Sequence, residues 1–324
     1  MSYVPKLFNP RAFDTSTISF EERESGNERQ PYVLDVDILI ALDVAMATRR
    51  PLLVFGDPGT GKSTLARFMA QTLDWRYLTT VITSRTRLEQ LTGDMDALKR
   101  LHHAQAAREG EAPLPDWTYR VPGILWWAYN PESAQRQGVD LEEYQQFLEK
   151  KDTRYQPPQN SGSEAGETNV VLLLDEIDKA DPDVPNDLLE PMDQRRFHLF
   201  GEEIKAPDHL EMLTIITTNG ERELPPAFLR RCVTLRLKDI TEDHLVNVAR
   251  HHHGDADQGL YKAVAAKVME LRDQARERDV RPPSTGEFLD SVRACKKLGL
   301  TPKSEVWKKL AESTLIKHQI SGSP

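Results

Sequence analysis

The chain has 324 residues, 42 Lys and Arg against 51 Asp and Glu for a formal charge of −9, 39% apolar and 29% charged residues, and two cysteines. These figures suit a folded globular protein of two or three compact units and exclude a disordered, fibrous or disulfide-stapled chain. No run approaches the ~18 consecutive apolar residues of a membrane span. The opening Met-Ser-Tyr-Val-Pro-Lys lacks the basic and apolar regions of a secretory signal, so the expected address is the cytosol. The acidic balance argues against a broad electrostatic footprint for nucleic acid or an anionic membrane. Cys232 and Cys295 lack the paired spacing of a zinc site and read as ordinary reduced thiols.

Residues 1–31 are polar and irregular and read as an N-terminal arm. From Pro31 to Ala47, apolar residues at near-helical spacing (Val36, Leu39, Ile40, Val44) predict a helix. Leu52–Phe55 is a short continuous apolar run, the pattern of a strand covered on both faces. Further runs follow at Tyr77–Ile82, Val170–Leu174, Met212–Thr217 and, more weakly, Val233–Leu237, with helical patterns between them. The fold class is therefore α/β, a three-layer unit around a parallel sheet. The interval 83–169 is too long for one crossover and marks an insertion, about 85–168. It contains a helical pattern at Arg87–Arg108, the apolar Ile124-Leu125-Trp126-Trp127, which is either insertion core or an exposed anchor, and a polar Gly- and Pro-rich stretch, Lys151–Thr168, expected to be a mobile loop. Beyond Asp239 the composition is helical. Thr241 caps one segment, Leu260–Arg278 is a long charged amphipath, and Ser284 with Glu287 forms a capping box before Phe288–Lys297. The expected division is an arm to 31, an α/β core over 32–239 and an all-helical domain over 240–324.

Gly56-Asp57-Pro58-Gly59-Thr60-Gly61-Lys62-Ser63 fits G-x-x-x-x-G-K-[ST] at every fixed position, after a strand and before a helix expected at Thr64–Leu73. Glycines let successive backbone N–H groups converge on phosphate oxygens, and the helix N-terminus adds partial positive charge. Lys62 suits the β- and γ-phosphates, and the Ser63 hydroxyl is a ligand for Mg²⁺. The loop through Thr64 is thus the candidate cofactor-binding segment.

Val170–Leu174 ends in Asp175-Glu176-Ile177-Asp178. A carboxylate at the C-terminal end of a buried strand stands where ligands bind in open α/β sheets, so Asp175 is a second candidate for Mg²⁺. Glu176 is then placed to polarise an attacking water, which favours hydrolysis over mere binding. Thr217-Thr218-Asn219 puts an amide at the end of the fourth run, able to hydrogen-bond both the γ-phosphate and the water, although Asn before Gly220 is also ordinary turn chemistry. Arg230 and Arg231 precede the fifth strand. Adjacent arginines are usually a solvated face, but one that reaches a neighbouring subunit's γ-phosphate is worth ~10³–10⁵ in rate.

With these elements in order, the chain resembles the AAA+ ATPases, and within them the MoxR-like group. Residues 56–64 (GDPGTGKST) match the phosphate loop, 172–193 (LLLDEIDKADPDVPNDLLEPMD) the acidic strand and following helix, 215–219 (IITTN) the first sensor, and 223–237 (ELPPAFLRRCVTLRL) the arginine-finger helix and fifth strand. Residues 91–105 (LTGDMDALKRLHHAQ) look like the helix these proteins carry in their insertion, and 281–294 (RPPSTGEFLDSVRA) like the lid segment. The resemblance covers roughly residues 32–300. It implies a sheet order 5-1-4-3-2, a helical lid, a hairpin at about Arg195–Lys205, an insertion facing the pore or ring surface, and homo-oligomeric ring assembly, usually hexameric. It also implies ATP and Mg²⁺ as cofactors and work on a protein partner, commonly with a von Willebrand factor A domain protein. Arg231 fills the finger position, with Arg230 beside it. Where many relatives carry a second sensor arginine this chain has Gly286, for which Arg281 or Arg293 could substitute.

Rival readings stay open at this level. A small-molecule kinase shares the phosphate loop but needs no neighbour. A GTPase needs an Asn/Thr-Lys-x-Asp base reader, approximated only by Asp178-Lys179-Ala180-Asp181 in the wrong place. The Leu-Ser-Gly-Gly signature of ABC-type ATPases is absent. A nucleic-acid motor or restriction-type ring would show salt-sensitive stimulation by DNA or RNA. A low-turnover ATP-dependent switch is disfavoured by Glu176.

Overall fold

A computed structural model of the protein describes residues 3–9, 31–106, 113–148, 169–278, 280–301, 304–307, 309 and 315. Most of the expected N-terminal arm and the whole stretch Lys151–Thr168 lie outside the described residues. In chain order, α1 (Val36–Thr48) precedes β1 (Leu52–Phe55), α2 (Lys62–Leu73) and β2 (Arg76–Val81). The insertion holds α3 (Leu88–Thr92), β3 (Gly93–Met95), α4 (Ala97–Ala106), β4 (Arg120–Pro122), α5 (Ile124–Tyr129), α6 (Pro131–Gln135) and α7 (Leu141–Leu148). There follow β5 (Val170–Asp175), α8 (Asp183–Asp187), α9 (Leu189–Gln194), β6 (Arg196–Leu199), β7 (Glu202–Lys205), β8 (Met212–Thr218), α10 (Pro226–Arg231) and β9 (Val233–Arg236). The remaining long helices are α11 (Glu242–His253), α12 (Gln258–Glu277) and α13 (Thr285–Leu298).

Two compact units result. Met1–Ile40, Val54–Phe68 and Leu235–Pro324 form one, and Ala41–Leu53 with Met69–Thr234 the other.

The five-stranded sheet has the order β2-β5-β8-β1-β9, and β2, β5 and β8 lie wholly in the second unit. Counting only these five strands along the chain, that is the expected 5-1-4-3-2. The pairs β2–β5 and β5–β8 are parallel, with Leu78 opposite Leu172 and Leu172 opposite Thr214. Val170 to Leu174 are all buried, as a strand covered on both faces requires, and each such Leu or Val contributes ~1.5–3 kcal/mol by leaving water.

Within the insertion, the helical pattern at Arg87–Arg108 is broken rather than continuous. α3 stops at Gly93, where a Cβ would come within 2.6 Å of Leu199 Cδ2. Gly93 opens β3, which pairs antiparallel with β4, and Asp96 then caps α4 by accepting the Lys99 N–H at 2.8 Å. A cap and a tertiary strand pairing override the local periodicity. Trp126 and Trp127 are insertion core, 1% and 4% exposed. The Trp126 indole N–H donates to Ser133 Oγ at 3.2 Å, and the Tyr129 hydroxyl to the Pro191 carbonyl at 2.7 Å. Rings of Trp126 and Tyr129 lie 6.3 Å from Phe200 and 5.8 Å from Phe197, which ties the insertion to the hairpin β6–β7. That hairpin pairs Arg196 with Lys205, where the resemblance placed one. Trp126→Ala is expected to cost ~3–5 kcal/mol of stability, measured by denaturant unfolding, because it leaves a large cavity under a fixed backbone.

In the first unit, α11, α12 and α13 enclose a core of Leu245, Tyr261, Val264, Val268, Phe288 and Val292. Thr241 Oγ1 accepts the His244 N–H at 3.2 Å, and Ser284 and Glu287 exchange the reciprocal bonds of a capping box. No helix among the described residues is long and apolar enough to cross a membrane.

Candidate functional site

All nine loop residues, Gly56 to Thr64, belong to the first unit. Gly59 and Gly61 have φ of +81° and +93°, the left-handed region that favours glycine. At Gly59 the approach is also close, since a Cβ would stand 2.3 Å from that of Ser284. The Thr285 N–H donates to the Gly59 carbonyl at 3.2 Å, so the start of α13 rests on the loop. Thr60 Oγ1 donates to the Asp57 carbonyl at 2.9 Å, and the buried Lys62 ammonium to the carbonyls of Gly56 at 2.6 Å and Asp57 at 3.1 Å. The helix begins at Lys62, two residues before the expected Thr64, because the lysine already has helical backbone. Ser63 and Thr64 therefore sit in its first turn, at the positive end of the helix dipole.

Basic residues of α12 reach this loop. Arg272 is 1% exposed; its Nη1 donates to the Pro283 carbonyl at 2.6 Å and its Nη2 lies 3.8 Å from Asp57 Oδ2. Arg276 Nη2 is 3.5 Å from the same oxygen. Burial draws the Arg272 guanidinium below the usual arginine range, its neighbour Arg276 adds to this, and Asp57 opposes it. Arg281 and Arg293, the two substitutes weighed for the second sensor, pair instead with Glu287 at 3.7 Å and Asp290 at 3.9 Å. The i, i+4 spacing of Arg272 and Arg276 on one helix face was the available signal for them.

Before α1, the N-terminal segment adds Tyr32, whose ring is 3.4 Å from the position of a Gly61 Cβ and 5.7 Å from the ring of Phe68. Asp35 Oδ1 accepts the Ile38 N–H at 3.0 Å, and Lys238 Nζ is 2.9 Å from both Asp35 Oδ2 and Asp37 Oδ2. Partial burial pushes the Asp35 carboxyl up, but hydrogen bonds from Lys238 and from the Ile38 and Asp37 amides bring it below its ordinary value. A depressed carboxylate stabilises the fold above its unfolded pKa of about 3.9 and loses that contribution as pH falls through the lower folded value. Lys238 is raised, so its side of the pair is lost only above about pH 10.4. A double-mutant cycle of Asp35→Asn and Lys238→Met is expected to show coupling at pH 7 that weakens as pH falls below about 3.9; coupling unchanged by acid would contradict the assignment.

The acidic strand end, the amide and the arginines belong to the second unit. Asp175 Oδ1 accepts from Thr217 Oγ1 at 2.5 Å, and that hydroxyl in turn accepts the Glu176 N–H at 2.9 Å. Glu176 lies at φ 62°, ψ 49°, a left-handed conformation that costs a non-glycine residue ~1–2 kcal/mol. Its carboxylate accepts from Lys179 Nζ at 2.8 Å and from Asn219 Nδ2 at 3.3 Å. The Glu176 hydrogen bond holds the Lys179 ammonium above its usual pKa. Asn219 is steadied from below: Asp178, 2% exposed, accepts the N–H groups of Asn219 at 3.1 Å and Glu221 at 2.9 Å through Oδ2. Asp175, Glu176 and Asn219 are thus brought together. Thr217 and Asp178, which hold them, were not singled out from the sequence, since nothing local distinguishes a bracing hydroxyl or carboxylate.

Arg230 and Arg231 end α10, and both are exposed. Arg231 Nε pairs with Asp193 Oδ2, and its Nη1 donates to the Ala227 carbonyl at 3.2 Å.

Residues 51–232, more than half of the chain, match the family model for the AAA domain (dynein-related subfamily). A Lon protease of Azorhizobium caulinodans is 29% identical over 155 residues, covering 44% of this chain and 18% of that protein. A Lon protease of Frankia alni is 38% identical over 96 residues, or 28% and 11% of the two chains. The chain therefore spans less than a fifth of the length of either relative. A solved structure from Cytophaga hutchinsonii covers 86% of this chain and 80% of its own at 15% identity, with a TM-score of 0.39, a likeness too slight to argue from. The phosphate loop, the acidic strand end and both arginines all fall within the matched span, and the chain belongs to the AAA domain family, in its dynein-related subfamily.

Proposed function

We propose that this protein is a Mg²⁺-dependent ATP hydrolase of the MoxR-like type. It assembles into a homo-oligomeric ring, usually hexameric in that group, and couples turnover to remodelling or maturing a partner protein in the cytosol, together with a von Willebrand factor A domain protein. The observation that carries the reading is Glu176, held in a strained left-handed conformation at the end of a buried strand and gripped by Thr217, Lys179 and Asn219. Residues held in such strain by several surrounding contacts cluster at active sites.

The residues present fit the implied ligands. The left-handed glycines form a cradle with no room for a Cβ at Gly59, and the Ser63 hydroxyl and the Asp175 carboxylate are each a hard oxygen donor of the kind that Mg²⁺ takes. When bound, Mg²⁺ neutralises charge on the β- and γ-oxygens. Lys62 and the loop amides of Gly56 to Thr64 bind and orient the triphosphate. Glu176 accepts the proton of the attacking water, Asn219 orients that water, and Arg231, with Arg230 as the second choice, is contributed by the adjacent copy. ATP is favoured over GTP because the sole approximation to a guanine reader in the sequence, Asp178-Lys179-Ala180-Asp181, stands in the wrong place, just after the acidic end of β5.

The test is Mg²⁺-dependent ATP hydrolysis measured across a dilution series. Turnover per chain should rise with concentration as copies assemble. Constant turnover by a monomer would favour a phosphoryl-transfer enzyme that needs no neighbour.

A further inference from the structure

Arg50 stands between α1 and β1, far in sequence from α10, yet its guanidinium spans the end of that helix. Nε donates to the Arg231 carbonyl at 3.1 Å, and Nη2 to the carbonyls of Arg230 and, at 3.3 Å, Cys232. The next residue continues the join, since the Pro51 carbonyl accepts the Val233 N–H at 2.8 Å. The last carbonyls of a helix have no partner within it, and α10 has only six residues, so one fork of N–H donors serves much of its C-terminal end. A cation there also complements the helix dipole. All of these contacts are to backbone, and the backbone they hold carries Arg230 and Arg231.

We infer that Arg50 is a positioning residue for the arginine finger: it fixes the end of α10, and so the point from which Arg231 projects to the neighbouring copy. The inference rests on the shared-site reading above. It has a distinctive consequence. A defect at Arg50 falls on the neighbour's nucleotide site and spares the subunit's own. The planar guanidinium matters as well as its charge, because an ammonium on a flexible stem cannot reproduce the fork.

The experiment compares Arg50→Ala and Arg50→Lys, each alone and mixed with Lys62→Ala. Alone, Arg50→Ala should lose about 10–100-fold in turnover, the scale of a small misplacement of a catalytic group, while ATP affinity stays within about twofold. Arg50→Lys, which keeps the charge and guards against a folding defect, should lose less. In equimolar mixtures, each Arg50 variant should recover turnover several-fold above the two components measured apart, because a Lys62→Ala subunit offers an intact finger to a neighbour whose loop is intact. Arg231→Ala mixed with Lys62→Ala is run in parallel. Recovery with Arg231→Ala but with neither Arg50 variant overturns the inference alone, as does undiminished turnover in both variants. No recovery with Arg231→Ala overturns the shared site, and Arg50's role with it.

Discussion

Replacing Arg231 by Ala is expected to lower ATP turnover by roughly 10³–10⁵-fold with little change in nucleotide affinity, the range seen when a finger arginine is removed from a phosphoryl-transfer site. That corresponds to about 4–7 kcal/mol of barrier. In the single chain the Arg231 guanidinium is paired with Asp193, both side chains about two-fifths exposed. Exposed pairs contribute ~0.2–1 kcal/mol, so leaving Asp193 costs little against what a finger arginine would supply to a neighbour's phosphate under the proposed mechanism. Arg230 gives the internal comparison. It shares the end of α10, and Arg230→Ala should reduce turnover far less if Arg231 is the finger. Steady-state hydrolysis with ATP titrated for each variant separates a loss in kcat from a loss in binding. The reverse ranking would move the role to Arg230, and no loss in either would remove the finger.

Glu176→Gln is expected to lower turnover by ~10²–10⁴-fold, the usual contribution of a positioned general base, while ATP still binds and copies still assemble. The substitution keeps shape and one acceptor oxygen for Asn219 but removes the charge that pairs with Lys179 and that the proposed mechanism uses to take the proton. The pair lies between side chains 40% and 30% exposed, so its loss should cost only ~0.2–1 kcal/mol of stability. A large kinetic loss with nearly intact stability thus reports on chemistry. Single-turnover measurements distinguish slow chemistry from slow release, and normal turnover would remove the assigned base. The same variant, loaded with ATP, is the bait for capturing the partner, and any nucleic acid, from native lysate.

The fold was legible where one residue type imposes one geometry. Val170–Leu174, apolar without alternation, reads as a strand covered on both faces, and it is one. Ser284 with Glu287 reads as a helix start because the two side chains satisfy each other's orphan amides, and they do. The stretch Arg87–Arg108 misled for the opposite reason. Its periodicity is real, but the pairing of Gly93 with Pro122 and the cap at Asp96 depend on residues that a short window does not weigh together.

The candidate site divides in the same way. The amino-acid order alone singled out as candidates the phosphate loop, the carboxylates at the end of a buried strand, Asn219 and the two arginines, because each is a residue type at a set distance from a strand or helix end. Only the tertiary structure decided what holds them. Glu176 is left-handed and bridged to Asp175 through Thr217, 41 residues away. Arg272 and Arg276 of α12, rather than Arg281 or Arg293, face Asp57 of the loop. Arg50 caps a helix 180 residues further along. The physical reason is one of range. Turn and strand chemistry acts between neighbours in the chain, whereas a hydrogen bond or ion pair of about 3 Å is indifferent to sequence separation and exists only once the chain has folded.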